Sequence, residues 1–120
     1  MNREEFLTTV TKTVVSSDVL ERIHHIYGCV LPNEVAQVLC VNQSGCFLDG
    51  NPFRRLLSLE EVANAAAELH VNFAAHGVVP LFDADDNNFI VFDFIHGQWK
   101  KFNIVDETSY GTKSSLQDIL

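Results

Sequence analysis

An acidic segment at residues 83–88 holds the densest group of side chains that could bind a metal ion, and it reads Asp-Ala-Asp-Asp-Asn-Asn between two apolar runs. Asp83, Asp85 and Asn87 occupy the first, third and fifth positions of a calcium-binding loop. The match ends there, because no glycine supplies the sharp turn of such a loop and Phe94 replaces its bidentate glutamate. The spacing therefore predicts an exposed loop between two strands, which a partner could contact, and no metal site.

Histidines and cysteines form a second group that could bind a metal ion. His24 and His25 precede Cys29, and Cys40 or Cys46 could complete four zinc ligands. Adjacent histidines point about 100 degrees apart on a helix, so both would reach one ion only with difficulty. No Cys-x-x-Cys or His-x-x-x-His pair is present. We predict reduced, mostly buried thiols and surface histidines, with no zinc site and no disulfide framework.

No motif indicates a catalytic nucleophile or a cofactor site. The chain has no Gly-x-Ser-x-Gly elbow and no glycine-rich phosphate loop, and its 6 glycines stand singly. A cysteine could meet one of the 5 histidines in space, but no local motif supports such a pair. We therefore predict a protein that is not an enzyme, with no catalytic residues and no cofactor.

The charge of the chain limits its partners. Asp and Glu number 16 against 8 Lys and Arg, which gives a formal net charge of -8. The negative electrostatic field of this charge repels nucleic-acid phosphates and anionic membranes. We therefore interpret the basic and aromatic segment at 99–102 as a strand edge kept soluble by its lysines, and not as a nucleic-acid site. The same field attracts a basic protein, although acidity also serves solubility alone.

Length and composition predict one domain spanning residues 1–120. With 47% hydrophobic and 20% charged residues, the chain has an ordinary globular composition and enough length to bury one core. Residues 1–5 are acidic and lack the apolar core of a signal peptide. No apolar run approaches the roughly 20 residues of a membrane helix, so we expect a cytoplasmic protein.

Apolar spacing predicts helices in the first part of the chain. The first helix spans 4–15, with Phe6, Leu7, Val10 and Val14 on its apolar face, and the second is capped at 16–18 and ended by Gly28. The third helix begins at Pro32 and buries Val35, Val38 and Leu39. The fourth, central helix buries Leu59, Val62, Ala66, Leu69 and Phe73. Ser58 and Glu61 form a capping box for the central helix, and Gly77 follows its end.

Alternating and apolar runs predict strands in the second part. They are a small hairpin at 46–48 and 53–57, followed by strands at 78–82, 89–94 and 98–104. Pro80 cannot donate a ladder hydrogen bond, so its strand is expected to be paired on one side there or bulged. On the next strand, Ile90, Phe92 and Phe94 share the face that should carry the core, and Asp93 lies on the other face.

The last segment completes the predicted architecture. Residues 106–113 are polar and turn-rich, and residues 114–120 predict a short capped helix. The elements together indicate an α+β fold, in which N-terminal helices and a central helix pack on a mostly antiparallel β-meander with a short C-terminal helix.

Three segments carry a resemblance to a known family. Residues 27–34 are similar to a pattern in which a Gly-x-x-Leu-Pro segment joins two helices. Residues 79–93 are similar to a strand with Pro and Phe, followed by a polar turn and an aromatic strand that ends in aspartate. Residues 115–120 are similar to a closing helix. In this order and spacing, the chain resembles the SUKH superfamily over nearly its whole length. These are small α+β proteins related to the fungal cell-wall assembly regulator. The family often has glycines in the acidic turn, where this chain has Asn87 and Asn88.

The resemblance implies a bacterial-type immunity protein, which is a non-enzymatic binder that neutralises a cognate toxin, commonly a nuclease. The alternative that it implies is a scaffold or regulatory interaction module of the same fold. The charge of -8 fits an inhibitor of a basic toxin. The candidate partner-binding residues are Asp83, Asp85, Asp86 and Asn87.

Overall fold

The computed structural model describes residues 1–120 and has the predicted α+β architecture. Its helices are α1 (Arg3–Lys12), α2 (Ser17–Tyr27), α3 (Asn33–Val41), α4 (Leu59–Leu69) and α5 (Leu116–Ile119), with a 3₁₀ turn at Ala74–His76. Its strands are β1 (Cys46–Leu48), β2 (Arg54–Leu56), β3 (Val78–Asp83), β4 (Asn88–Asp93), β5 (Gln98–Asn103) and β6 (Thr108–Lys113). The strands form one antiparallel meander in chain order. None of the helices has the length and apolar character that crossing a membrane requires.

Local capping chemistry sets most helix ends. The Ser16 side chain accepts a hydrogen bond from the backbone N–H of Val19, and Gly28 ends α2 in the left-handed region with φ 68°. The capping box of Ser58 and Glu61 is confirmed at the start of α4. These ends were predicted because the residues that make them lie next to one another in the sequence.

The ends of α1 and α4 correct two predictions. Helix α1 stops at Lys12 because Thr13 is already extended, so Val14 lies outside the helix and is 88% exposed. Helix α4 stops at Leu69 because His70 is left-handed with φ 57°. Ala65, and not Ala66, faces the core from this helix. Consecutive β-branched residues after Lys12 favour extended backbone, which explains the early end of α1.

Strand β4 is buried on both faces, which corrects the expectation that one face carries the core. Ile90 and Phe92 lie in the core as predicted, and Phe94 is partly buried. Phe89 and Val91 point to the opposite face and are also buried. The sheet is therefore covered from both sides at its centre.

Different helical segments cover the two faces. The ring of Phe6 in α1 lies 5.7 Å from that of Phe82, which shares one face with Ile90 through the strand register. The ring of Phe73, just before the 3₁₀ turn, lies 5.6 Å from that of Phe102 on the other face. Because each face has its own cover, β4 carries apolar residues on both faces, and its only polar residues are Asn88 and Asp93 at the two ends.

Strand β6 occupies a segment that the sequence predicted to be only turn-rich. Each of its residues is exposed, so it lacks the apolar alternation that reveals a strand. Its place is decided by pairing with β5, for example between Ser109 and Phe102. In β3, the predicted irregularity at Pro80 is confirmed, since the register with β4 shifts between Pro80 and Phe82.

Candidate functional site

The acidic segment forms a loop between β3 and β4 with an uncommon backbone. Asp85, Asp86 and Asn87 are three successive left-handed residues, with φ of 73°, 51° and 64°. Aspartate and asparagine tolerate this region better than other non-glycine residues, because their short side chains bond to nearby backbone. Asp83 does so here, since its Oδ1 accepts a hydrogen bond of 2.9 Å from the N–H of Asp85. The loop can therefore form without the glycines that the resembled family often has.

Hydrogen bonds hold both sides of this loop. The N–H of Asn88 donates to the carbonyl of Asp85 over 2.9 Å, and the N–H of Ile104 donates to the carbonyl of Asn87 over 3.0 Å. The Asn88 Oδ1 accepts from Asn103 Nδ2 at 3.1 Å and from the Tyr110 hydroxyl at 2.8 Å. Asn88 belongs to β4 and anchors the loop, and Asp85 and Asp86 are exposed to solvent.

Arg55 joins the loop to the start of the central helix. Its guanidinium donates to both oxygens of Glu61 at 2.8 and 3.0 Å, and its Nη2 lies 3.6 Å from Asp83 Oδ2. Asp83 is also its direct cross-strand neighbour. The hydrogen bonds from Arg55 lower the pKa of Glu61, and the hydrogen bond to Glu61 raises the pKa of Arg55. Both side chains therefore stay charged over the physiological pH range.

Two adjoining depressions, of about 130 and 350 Å³, share Leu69, Asp83 and Phe89 in their linings. We call the two depressions together the acidic groove. Its charged lining consists of five carboxylates and one cation, namely Glu61, Glu68, Asp83, Asp85, Asp86 and Arg55. All four predicted partner-binding residues line the larger depression, so the structure brings them together.

Glu61 and Glu68 are groove residues that the sequence reasoning missed. They come from α4, far from the loop in the chain, and only the packing of α4 beside β3 brings them to it. Their spacing of seven residues places both on one helix face, which was the available signal.

Known protein families and curated proteins assign no role to the acidic groove. No protein-family model and no curated protein matches this chain. The resemblance to the SUKH superfamily stays a prediction from the residues that carry it.

A buried aspartate forms a second charged cluster, at the turn between β4 and β5. Asp93 Oδ1 accepts from the backbone N–H groups of Ile95 and His96, each at 2.9 Å. Its Oδ2 lies 2.8 Å from His96 Nδ1 and 2.7 Å from Lys100 Nζ. Burial alone raises the pKa of Asp93, but these hydrogen bonds outweigh it and bring the pKa well below its usual value. Local groups use both oxygens, so this carboxylate fixes the turn.

The histidines and cysteines do not assemble into a metal centre. No group of three or more His, Cys, Asp or Glu side chains is placed to hold a metal ion. Cys29, Cys40 and Cys46 are free thiols, and burial raises the pKa of Cys29 and of Cys46. His24 Nδ1 lies 3.1 Å from the Cys29 carbonyl oxygen and contacts backbone there. A raised thiol pKa disfavours the thiolate that nucleophilic catalysis needs.

Proposed function

We propose that this protein is a non-enzymatic immunity protein of the cytoplasm, which binds a cognate protein toxin through the acidic groove and neutralises it. The observation that supports the proposal is the charge of the groove, where five carboxylates face one arginine. That arginine is already paired with Glu61 and lies beside Asp83. The free charge of the groove is therefore negative and concentrated at Glu68, Asp85 and Asp86.

A basic protein surface fits this charge distribution. Nucleases carry such surfaces because they bind the phosphates of nucleic acids. Opposite charges steer the two partners together and raise the association rate, while like charges exclude nucleic acid itself. The net charge of -8 acts in the same direction at longer range. An immunity protein gains from fast association, because it must occupy the toxin before the toxin acts.

The backbone of the loop, which is fixed by hydrogen bonds, supports the proposed binding in a second way. Its three left-handed residues are fixed by hydrogen bonds to Asp83, Asn88 and Ile104. A loop that is ordered before binding loses little conformational entropy when the partner arrives. Residues held in sparsely populated backbone regions cluster at functional sites. The loop thus presents Asp85 and Asp86 in a fixed geometry.

Co-expression with the toxin-like protein encoded beside this chain tests the proposal. We expect cells that make both proteins to survive and the two proteins to co-purify as a complex. Absence of both rescue and binding would sink the proposal. Binding to a protein of the same cell without any rescue would instead support the scaffold or regulatory module.

A further inference from the structure

Two phenylalanine rings lie in the open at the β1 edge of the sheet. The side chain of Phe47 is 60% exposed and that of Phe53 is 36% exposed. Their ring centroids are 5.9 Å apart, and the rings meet edge to face. Two exposed aromatic side chains in contact form a small apolar patch at this edge of the sheet.

The strand register links this aromatic pair to the acidic groove. Phe47 lies directly opposite Arg55, Arg55 opposite Asp83, and Asp83 opposite Phe89. Directly opposed residues of antiparallel strands point to the same face of a sheet. The four side chains therefore form one row across β1 to β4, with an exposed ring at one end and the acidic groove at the other.

We propose that the Phe47 and Phe53 pair is the apolar half of the same binding surface, and that its occupant is a basic protein segment carrying an exposed aliphatic side chain beside its cationic residues. This inference rests on the proposed function, because it assigns the partner of that same groove. Charge decides between the possible occupants. A second copy of this chain carries the same net charge of -8, and like-charge repulsion opposes its approach.

The geometry gives the spacing that the partner needs. Neighbouring strands lie about 4.8 Å apart, so two strand spacings separate Phe47 from Asp83 by about 10 Å, and the loop carboxylates lie further along. An extended peptide rises about 3.3 Å per residue, so an aliphatic residue four positions before an arginine spans about 13 Å. Aromatic anchors next to a charged rim are the usual composition of a protein-binding surface.

A defined peptide tests this inference without the toxin. The probe is acetyl-Leu-Ser-Ser-Ser-Arg-Arg-amide, and its matched control replaces leucine by serine. Backbone amide shifts of the labelled protein are followed by NMR during titration with each peptide. We expect both peptides to shift the loop at 83–88 and only the leucine peptide to shift residues 47 and 53 as well. We further expect about threefold to tenfold weaker binding of the serine peptide, as partial burial of one aliphatic side chain implies.

Variants of the protein complete the test. Phe47→Ser with Phe53→Ser should reduce binding of the leucine peptide to the level of the serine peptide. Val30→Ser is the control, because Val30 is 86% exposed and belongs to the loop between α2 and α3. Equal binding of both peptides, binding that ignores the two phenylalanines, or no binding of either peptide at millimolar concentration would each overturn the inference. A dimer of the wild type that the phenylalanine variant abolishes would assign the patch to a second copy and also overturn it.

The two proposals can fail separately. A toxin complex that is weakened by loss of Asp85 and Asp86 but not by loss of Phe47 and Phe53 would remove this inference and keep the proposed function. Absence of rescue and toxin binding would remove the proposed function, while the peptide map would still report whether the aromatic pair and the groove act together.

Discussion

Lys100 Nζ forms an ion pair of 2.7 Å with Oδ2 of Asp93, whose side chain is only 5% exposed. This ion pair ties β5 to the end of β4, and Asp93 also accepts two backbone hydrogen bonds that shape the turn between the strands. Charged hydrogen bonds in such a buried setting are among the stronger single contributions to stability.

Asp93→Asn should lower the free energy of unfolding by about 2–3 kcal/mol. The amide can keep the backbone hydrogen bonds at one oxygen, but it removes the charge that pairs with Lys100. Chemical denaturation at neutral pH measures the loss. Lys101→Gln is the control, because Lys101 is on the same strand and forms no ion pair. An equal effect of both substitutions would contradict the assigned role of Asp93.

The same carboxylate predicts a pH dependence. Its pKa is lowered on folding from the ordinary value of 3.8, so the unfolded chain takes up the proton first as the pH falls. The stabilisation is present in full above about pH 5 and is lost as the pH falls through 3.8 towards the lower folded pKa. The difference in unfolding free energy between wild type and Asp93→Asn should therefore be largest at neutral pH and shrink below pH 4, in denaturation series across that range.

The proposed toxin binding should become slower when the loop is neutralised. For Asp85→Asn with Asp86→Asn, we expect an association rate about 10-fold to 100-fold lower at low salt and a weaker salt dependence, because local steering is lost. Rapid-mixing kinetics at two salt concentrations measure both effects. Glu21→Gln with Glu34→Gln is the matched control, since it changes the net charge equally at exposed sites outside the groove. Equal slowing by both pairs would assign the effect to total charge and not to the groove.

The left-handed backbone at Asp86 separates the role of the loop's shape from that of its charge. Asp86→Ala and Asp86→Gly remove the same carboxylate, but only glycine adopts φ 51° without strain. We expect the alanine variant to be about 1 kcal/mol less stable than the glycine variant in thermal or chemical unfolding. Equal stability of the two variants would show that the loop relaxes to another conformation.

Two neighbouring glutamates in α4 should differ in their contribution to stability. Glu61 caps the helix and binds Arg55 through two hydrogen bonds, so Glu61→Gln should cost about 1 kcal/mol or more. Glu60 pairs with Arg22 in solvent, and Glu60→Gln should leave stability almost unchanged. Unfolding in denaturant compares them, and a larger loss at Glu60 would reverse this assignment.

Contacts between residues close in the sequence were predictable. Ser58 and Glu61 lie three positions apart, so the capping box follows from local chemistry. Gly28 ends α2 because it adopts the left-handed conformation itself and bonds to the carbonyl of His24 in the same helix, so no distant residue is needed. The loop at Asp83, Asp85, Asp86 and Asn87 was found for the same reason, since its polar residues interrupt two apolar strands.

Contacts between distant segments were not predictable. Strand β6 carries no apolar alternation, so only its pairing with β5 shows that it is a strand. Phe47 and Asp83 are 36 residues apart in the chain and share one row only because β1, β2 and β3 pair in register.

The sequence by itself determined the α+β class, the main helix caps and an exposed acidic loop, because each of these depends on periodicity or on neighbouring residues. Only the tertiary structure decided that α4 adds Glu61 and Glu68 to that loop and that Arg55 neutralises part of the charge. The physical reason is that charge and apolar surface act through space. Strand register and helix packing decide which charges and which apolar side chains meet at a groove, and no local sequence pattern specifies either of them.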